Sequence, residues 1–425
     1  MTTLFGVTLP QRRGFSVPIQ VIAHRGITAW LVEERSVPVV SLAWGWPGGA
    51  TLDAPGQEGT ANLAAALLTE GAGPLRAVAF GDALRDAAIN LGFSANREAF
   101  EGGLRALTDA LPEAARLARL AMTEPRLDAD AVDRIRARAV AGARQQLETP
   151  SGLARRAFWA AAFPEHPAGR LPTPESLAAA RPEAMRALLS RQMRRDGLLV
   201  TASGAIGRDE LVALLDQLFG ELPAGAPPAP PALPPLADFG RTIAEKAAPQ
   251  SAMLFAQDGP PPTDPDWEAF QVAIRILSGG DFSSRLTRRV REERGLTYGI
   301  GAGLDPLFGR SIVVGSVATE NANVGEVWNL IRTAWTEMAE AGPTAEEVAN
   351  AVAFLSGSLP LQFTDSRRTA SLLLGLRQVG RTPEWLAGRP ARLAALTRDG
   401  VAAACRRLLR PDGLALAVAG QPAGL

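Results

Sequence analysis

The sequence predicts an α+β protein built from two duplicated domains. Each is expected to be an antiparallel sheet backed by helices, and the two to be related by an approximate two-fold axis. Three observations predict this. First, residues 223–235, PAGAPPAPPALPP, hold seven prolines in thirteen positions near the middle of the chain. Proline supplies no N–H and fixes its own φ, so this stretch cannot enter a helix interior or a sheet and reads as an extended linker. Second, the halves repeat: RRDGLLVTASG (194–204) corresponds to RPDGLALAVAG (410–420), and MTEPRLDADAVDRIRARAVAG (122–142) to MAEAGPTAEEVANAVAFLSG (338–357), an offset of about 216 residues. Self-similarity on that scale is duplication of a whole domain, not a solenoid repeat. Third, each half mixes hairpin-like strands with consecutive helices, the pattern of a sheet with helices on one side. The expected division is a first domain over 1–222, a linker over 223–240 and a second domain over 241–425.

Taken in order, VPIQVIAH, ITAWLVEE and VPVVSLAWGW (within 16–47) are β-branched, partly alternating and separated by turn signals, and so read as strands. EGTANLAAALLTEGAG (58–73) reads as an apolar helix stopped by Gly71. A second helix and the strand-like LGFSANREAFEGGL follow within 75–104, with Ser94 to Glu98 as a candidate edge strand open to a peptide by β-addition. Helices are expected at 109–121, 128–148, 151–162, near 183–195 and at 208–220, with the strand GLLVTASGAI before the last.

In the second half one stretch stands out, SSRLTRRVREERGLTYGIGAG (283–303). Phe282, Leu286 and Val290 recur every fourth residue and form one helical stripe, with Ser283 or Asp281 as cap and Gly295 as a left-handed stop. A strand is expected next, with Leu296, Tyr298, Ile300 and Ala302 on one face. Thr297, Gly299, Gly301 and Gly303 fall on the other, a nearly bare face that another backbone could approach. Tyr298 is the sole tyrosine, and Arg291 lies seven residues before it. Taken alone, Arg291 reads as one more solvated helix arginine and Tyr298 as a half-buried strand aromatic.

Composition narrows the function classes. Hydrophobic residues make up 47% of 425, ample for packed cores, and 44 basic residues balance 44 acidic ones. No net charge draws the chain to nucleic acid or an anionic membrane, and neither partner is expected. Lys246 is the sole lysine, an arginine bias that spans every segment and reads as codon composition. Cys405 stands alone, so no intrachain disulfide forms, in keeping with a reducing compartment. The start lacks the basic and apolar blocks of a signal peptide, and no run of 18 apolar residues occurs. The cytoplasm is the expected location, or the periplasm if a leader has been removed. His24 and His166 lie near no second soft ligand in sequence and read as structural, and no nucleophile triad, P-loop or dinucleotide fingerprint is present. Gly279-Gly280 is too short to cradle a phosphate and reads as the turn before the signature helix.

LSGGDFSSRLTRRVREERGLTYGIGAG resembles the second-half signature of the insulinase or pitrilysin type of zinc peptidase, which includes the mitochondrial processing peptidases and bacterial two-subunit relatives. A glycine pair and an S-R-L segment lead into R-E-x-x-G-L-x-Y, and the resemblance runs from about residue 16 to 420. It implies two such domain pairs closed around a chamber. It also implies that Arg291 and Tyr298 bind the substrate backbone opposite a zinc ion, with Gly299 beside them.

The other hallmark of that family, an H-x-x-E-H helix with a distal glutamate, is missing. Histidines four apart share a helix face and bind zinc, and the glutamate between them serves as general base. The matching helix reads Asn62-Leu63-Ala64-Ala65-Ala66, so Asn62, Ala65 and Ala66 occupy the degenerate positions, and the distal site reads Ala141-Gly142-Ala143-Arg144. No metal and no cofactor are expected in this chain. The resemblance implies instead a homologous zinc-bearing partner subunit and an unfolded peptide substrate. An inactive scaffold of the same fold and a free-standing peptide binder are the alternatives.

Overall fold

The computed structural model describes residues 15–279 and 283–425, together with the backbone of two short paired strands, β1 (Thr2–Leu4) and β2 (Val7–Leu9). The first half continues with β3 (Gln20–His24), β4 (Ile27–Glu33) and β5 (Val39–Pro47), then a small hairpin of β6 (Gly71–Ala72) and β7 (Leu75–Arg76). It ends with β8 (Asn90–Ala95), β9 (Ala99–Leu107) and β10 (Leu199–Gly204). The six long strands form one sheet in the order β3-β4-β10-β5-β9-β8. The second half supplies β11 (Arg241–Glu245), β12 (Gln250–Gly259), β13 (Ile300–Leu307), β14 (Arg310–Glu320) and β15 (Ala415–Gly420), ordered β11-β15-β12-β14-β13. Apart from the extra edge strand β3, the two sheets share one pairing scheme.

Each sheet is antiparallel except at one pair, β10 beside β4 and β15 beside β11. The first case follows from geometry. β10 enters between β4 and β5, which run in opposite directions, so it must be parallel to one of them. It arrives after a long run of helices, a connection of the length a parallel pairing needs.

One close approach recurs in both sheets. The ring of Trp44 lies across Gly102 of the neighbouring strand, where an added Cβ would stand 2.2 Å from it, and the Phe255 ring lies across Gly315 with the same 2.2 Å clearance. Phe219 meets Trp44 edge-on from the helix Arg208–Phe219, and Trp335 meets Phe255 edge-on from Val324–Glu340. The duplication is therefore visible in the packing of the core as well as in the backbone.

The opposite face of each sheet is covered by a helix from the other half. Helix Ser366–Gln378 lies on β5 and β10, where Ala370 and Leu374 pack on Ala43. The Thr201 hydroxyl lies 2.8 Å from the Ala370 carbonyl, Ser41 and Ser366 share a 2.9 Å bond, and Arg377 donates to the Thr28 and Val200 carbonyls. In return, helix Pro150–Ala162 lies on the second sheet, with Ala154 against Ala252 and Ala419, and Phe158 and Ala162 against Ala256 and Ala417. The helices begin at residues 150 and 366, a step of 216 that matches the sequence repeat.

Residues 223–240 contain neither helix nor strand, and they are pinned along their length. Leu233 is buried among Phe158, Trp159 and Ile312, and Ala237 N–H donates to the Ala162 carbonyl at 3.0 Å. His166 accepts the Ala168 N–H on Nδ1 and turns Nε2 to the Pro231 carbonyl at 3.3 Å. His24 Nε2 lies 2.8 Å from Asp216, tying the first hairpin to the helix Arg208–Phe219. Both histidines hold the fold together.

The exchanged helices rest on alanines, so overfilling should be costly. Ala154→Leu and Ala370→Leu are each expected to lower unfolding stability by about 1–3 kcal/mol in a urea titration. Ala160→Leu, on the exposed side of the first of these helices, should change it by less than about 0.5 kcal/mol.

A second test concerns Asp53, which is buried and accepts N–H groups from Gly59 at 2.8 Å and Ala61 at 3.0 Å at the start of the helix Thr60–Leu67. Burial pushes its carboxyl from the ordinary 3.8 up to about 6, against the pull of those hydrogen bonds. The folded state thus holds this proton more tightly than the unfolded state. The group's contribution is complete below pH 4 and lost as pH rises through about 6. The stability difference between wild type and Asp53→Asn should fall between pH 4 and 6 and be level above 7. Parallel curves would contradict this assignment.

Candidate functional site

The signature helix is held by salt bridges from three of its arginines. Arg285 makes a bidentate pair with Glu347, both bonds 2.7 Å, and donates to the Gly342 carbonyl at 3.1 Å. Burial opposes ionisation of Glu347, but hydrogen bonds from Arg285 and Thr344 outweigh it and keep the carboxyl below its ordinary value. Arg289 pairs with Glu337 and Arg294 with Glu326, so the segment is riveted to the helices Val324–Glu340 and Ala345–Ser358. Leu286 and Val290 are fully buried in the second core, as their spacing predicts. The other stripe member, Phe282, and the alternative cap Asp281 lie outside the described residues, as does Gly280.

The helix differs from expectation in pitch. Residues Thr287–Glu292 form a π-helix, with Glu293 N–H bonded to the Arg288 carbonyl five residues back. Wide turns of this kind are uncommon and recur at functional sites. Gly295 then takes φ +64, the expected left-handed stop, and its N–H returns to the Arg291 carbonyl.

The chain does not enter a strand at once, which corrects the expected start at Leu296. The ladder begins at Ile300, opposite Val317. Side-chain bonds replace it over the preceding residues: the Thr297 hydroxyl donates to the Ala318 carbonyl at 2.7 Å and accepts the Gly299 N–H at 3.1 Å, while Leu296 N–H closes back on the Val290 carbonyl at 2.9 Å. A threonine that serves its own backbone in this way bends the chain at the next residue. That residue is Tyr298, which is 90% exposed, not half-buried in a strand. Arg291 is exposed on the π-turn before the loop, and Gly299 follows Tyr298 on the exposed side with open space around its Cα.

Beyond the loop, Gly301, Gly303, Gly315 and Ser316 floor a groove of about 460 Å³, with Leu254 and Ser278 on its walls. This is the part of the second sheet's face that the exchanged helix leaves open. The equivalent part of the first sheet holds a groove of about 320 Å³ over Gly92, Gly102 and Gly103. Its rim is polar, with Asn90, Ser94, Glu101, Arg105 and Arg367, and Gln378 donates to Glu101 at 2.6 Å. The candidate edge strand runs over Asn90–Ala95, not Ser94–Glu98, because the Asn96 side chain accepts the Glu98 and Ala99 N–H groups and turns the chain there. β8 is the terminal strand of its sheet, so its outer edge is unpaired within that sheet.

The degenerate positions sit beside that edge. Asn62 donates to the Ala95 carbonyl at 2.6 Å, Ala65 is buried in the first core and Ala66 packs partly against it. Ala143 is buried and Arg144 exposed on the long helix Ala129–Leu147, which packs on the helix Thr60–Leu67. None of these side chains except the Asn62 amide oxygen offers a lone pair for a metal, and the Asn62 side chain is anchored through its Nδ2 to the Ala95 carbonyl. Among the described residues, no three His, Cys, Asp or Glu side chains come together as a metal site. Cys405 is buried, and its thiol is pushed up to about 12 by desolvation. No described helix is long and apolar enough to cross a membrane.

The chain is similar to known proteins over much of its length. Residues 180–355 match the family model described as the peptidase M16 inactive domain. A crystal structure of a peptidase M16 inactive domain from Pseudomonas fluorescens superposes with a TM-score of 0.88 at 24% identity, covering 95% of this chain and 98% of that one. A non-peptidase homolog from Helicobacter pylori is 24% identical over 339 residues, 78% of this chain and 77% of that protein. An uncharacterized zinc protease of Mycobacterium leprae is 29% identical over 229 residues, 51% of this chain and 50% of that protein, so the match spans about half its length. A metal-free chain fits a match to the inactive domain and to a non-peptidase homolog. The chain is thus similar over residues 180–355 to the inactive domain of M16 peptidases, and its fold is that of the Pseudomonas fluorescens domain.

Proposed function

We propose that this chain is the metal-free subunit of a heterodimeric zinc peptidase. In this reading residues 1–222 and 241–425 are its two domains and 223–240 the linker. The partner subunit holds the zinc, the bound water and the general base. This chain supplies the opposite wall of the chamber, with Arg291 and Tyr298 acting on an unfolded peptide in the partner's site.

One observation carries the reading. Tyr298 is presented to solvent on a loop fixed by hydrogen bonds on both sides, a setting that gives a large aromatic no packing role. A rigid loop with an exposed hydroxyl is what transition-state stabilisation in trans requires. The hydroxyl can donate to the oxyanion forming on the scissile carbonyl, and a donor that does not have to reorganise is worth most. Arg291 fixes peptide register through a substrate carbonyl. The glycine floor beyond Gly299 lets an extended backbone lie close, and the free edge of β8 offers a second place for it by β-addition. The name of the Helicobacter pylori relative favours a second reading, a proteolytically inactive scaffold or peptide-binding protein of the same fold.

The two readings part on Tyr298→Phe in the assembled complex. With folding and subunit association intact, turnover is expected to fall by roughly one to three orders of magnitude, the range for a lost oxyanion donor. Arg291→Ala should also raise the apparent KM where chemistry is the slow step. Unchanged turnover in both variants, with the complex intact, leaves the scaffold. The neighbouring gene is the first place to seek the partner, as a chain of similar length with the inverted zinc motif.

The metal assignment has its own measurement. Elemental analysis of the purified chain is expected to find no stoichiometric zinc. Asn62→His, Ala65→Glu and Ala66→His combined should bind metal weakly at best, since the distal ligand and its supporting shell are also missing. One tightly held zinc per wild-type chain would sink the reading.

A further inference from the structure

A cavity of about 540 Å³ lies at the seam between the halves, away from Arg291 and Tyr298, and the proposed function makes no use of it. Trp46, Pro47 and Leu199 of the first half face Pro306, Phe308 and Val379 of the second, and Pro230 of the linker joins them. A mostly apolar concavity of this size with few polar groups is the usual form of a small-molecule site. Among the described residues, Glu98 is the one ionisable side chain on its lining.

The wall nearest Glu98 is strained. Phe308 and Gly309 form the two-residue turn between β13 and β14, with φ +48 and +75. Turns of that kind favour Asn-Gly, and a bulky residue at positive φ costs about 1–3 kcal/mol. Two contacts hold Phe308 there: its N–H donates to the Glu98 carboxylate, and its ring meets His166 edge-on at 6.0 Å. Strain of this sort gathers at ligand clamps.

The charge at this point is under-compensated. Burial raises the Glu98 carboxyl above its ordinary value, and the Asp305 carboxylate nearby raises it further. Arg97 opposes both from a guanidinium that lies 3.4 Å from the Trp159 ring centroid and donates through Nε to the Ala168 carbonyl at 3.0 Å. Among the described residues, no basic side chain lines the cavity to meet an anionic ligand. A cation with an apolar body satisfies both the walls and the carboxylate.

We propose that the cavity between Trp46, Leu199, Phe308 and Val379 binds a small apolar amine, its ammonium group on Glu98 and its hydrocarbon body against the apolar walls. Such a ligand touches both halves and the linker at once, and so stabilises the closed seam between them. The same chemistry is presented by a free arylalkylamine or by the first residue of a peptide with an unblocked amino terminus.

Isothermal titration of the full chain with 2-phenylethylamine tests this without the partner subunit or any peptidase assay, so its failure leaves the proposed function standing. Saturable one-to-one binding is expected, with none for 3-phenylpropanoate, which has the same body and the opposite charge. Glu98→Gln keeps an oxygen for the Phe308 N–H and should weaken binding at least tenfold. Val379→Trp should fill the cavity and abolish binding, with melting temperatures confirming that both variants fold. A peptide amide beginning with Phe that binds tighter than the free amine identifies a peptide terminus as the ligand; equal or weaker binding identifies the small amine. No saturable heat with either amine, binding untouched by both variants, or equal binding of 3-phenylpropanoate overturns the proposal.

Discussion

The reciprocal contact of alanines on alanines, Ala370 on Ala43 and Ala154 on Ala252 and Ala419, is what the rest of the structure depends on. A sheet buries both faces only if something covers the side its own helices do not reach. Here each half lends a helix to the other's sheet, and small side chains let helix and sheet backbones approach closely. The Thr201 hydroxyl and Arg377 guanidinium then bond to backbone carbonyls across the contact. Removing helix Ser366–Gln378 would expose Ala43 and the Thr201 hydroxyl, and removing helix Pro150–Ala162 would expose Ala252 and Ala419, so each half buries this face of its sheet against the other.

The exchanged helices also decide where open surface remains. Each covers the central strands of its host sheet and stops short of the last two, β9 and β8 in one half and β14 and β13 in the other. What is left in each case is a glycine floor. In the first half, Trp44 lies beneath Gly102 and the rim carries Glu101, Arg105 and Arg367; in the second, Phe255 lies beneath Gly315 and the floor is bare. The aromatics fill from the core side the space that a side chain would have occupied, so the floors stay flat without a void beneath them. Duplication made two equivalent grooves, and later substitution gave them different chemistry.

Much of this was legible in the sequence, and what was not has identifiable causes. The α+β class and the duplicated arrangement followed from the repeat of RRDGLLVTASG and RPDGLALAVAG, which are the inserted central strands β10 and β15. The Leu286 and Val290 stripe and the Gly295 stop were read correctly because they depend on local periodicity and on φ. The helix exchange was not legible: an amphipathic pattern shows that a face is buried, not which half buries it. The strand starting at Leu296 failed for a different reason. Alternation suggested a ladder, but the Thr297 hydroxyl captured the local backbone groups first. Asn96 displaced the expected edge strand in the same way. The one parallel pairing in each sheet could not be seen either, since β4 and β5 adjoin in sequence and nothing local shows that a third strand separates them.

The exchange has a bearing on how the chain emerges from the ribosome. The first sheet can assemble once β10 and the helix Arg208–Phe219 have been made, yet its second face waits for the helix Ser366–Gln378. At ordinary rates of elongation that delay is on the order of ten seconds. Through this interval the uncovered surface has the short Ser41, Ala43, Thr201 and Ser203 at its centre, with the apolar Trp30 and Val32 beside them until Leu373 is made. The alanine contact is thus a mild one to leave bare during synthesis, and the adhesive part of the exposed face is confined to Trp30 and Val32 on β4.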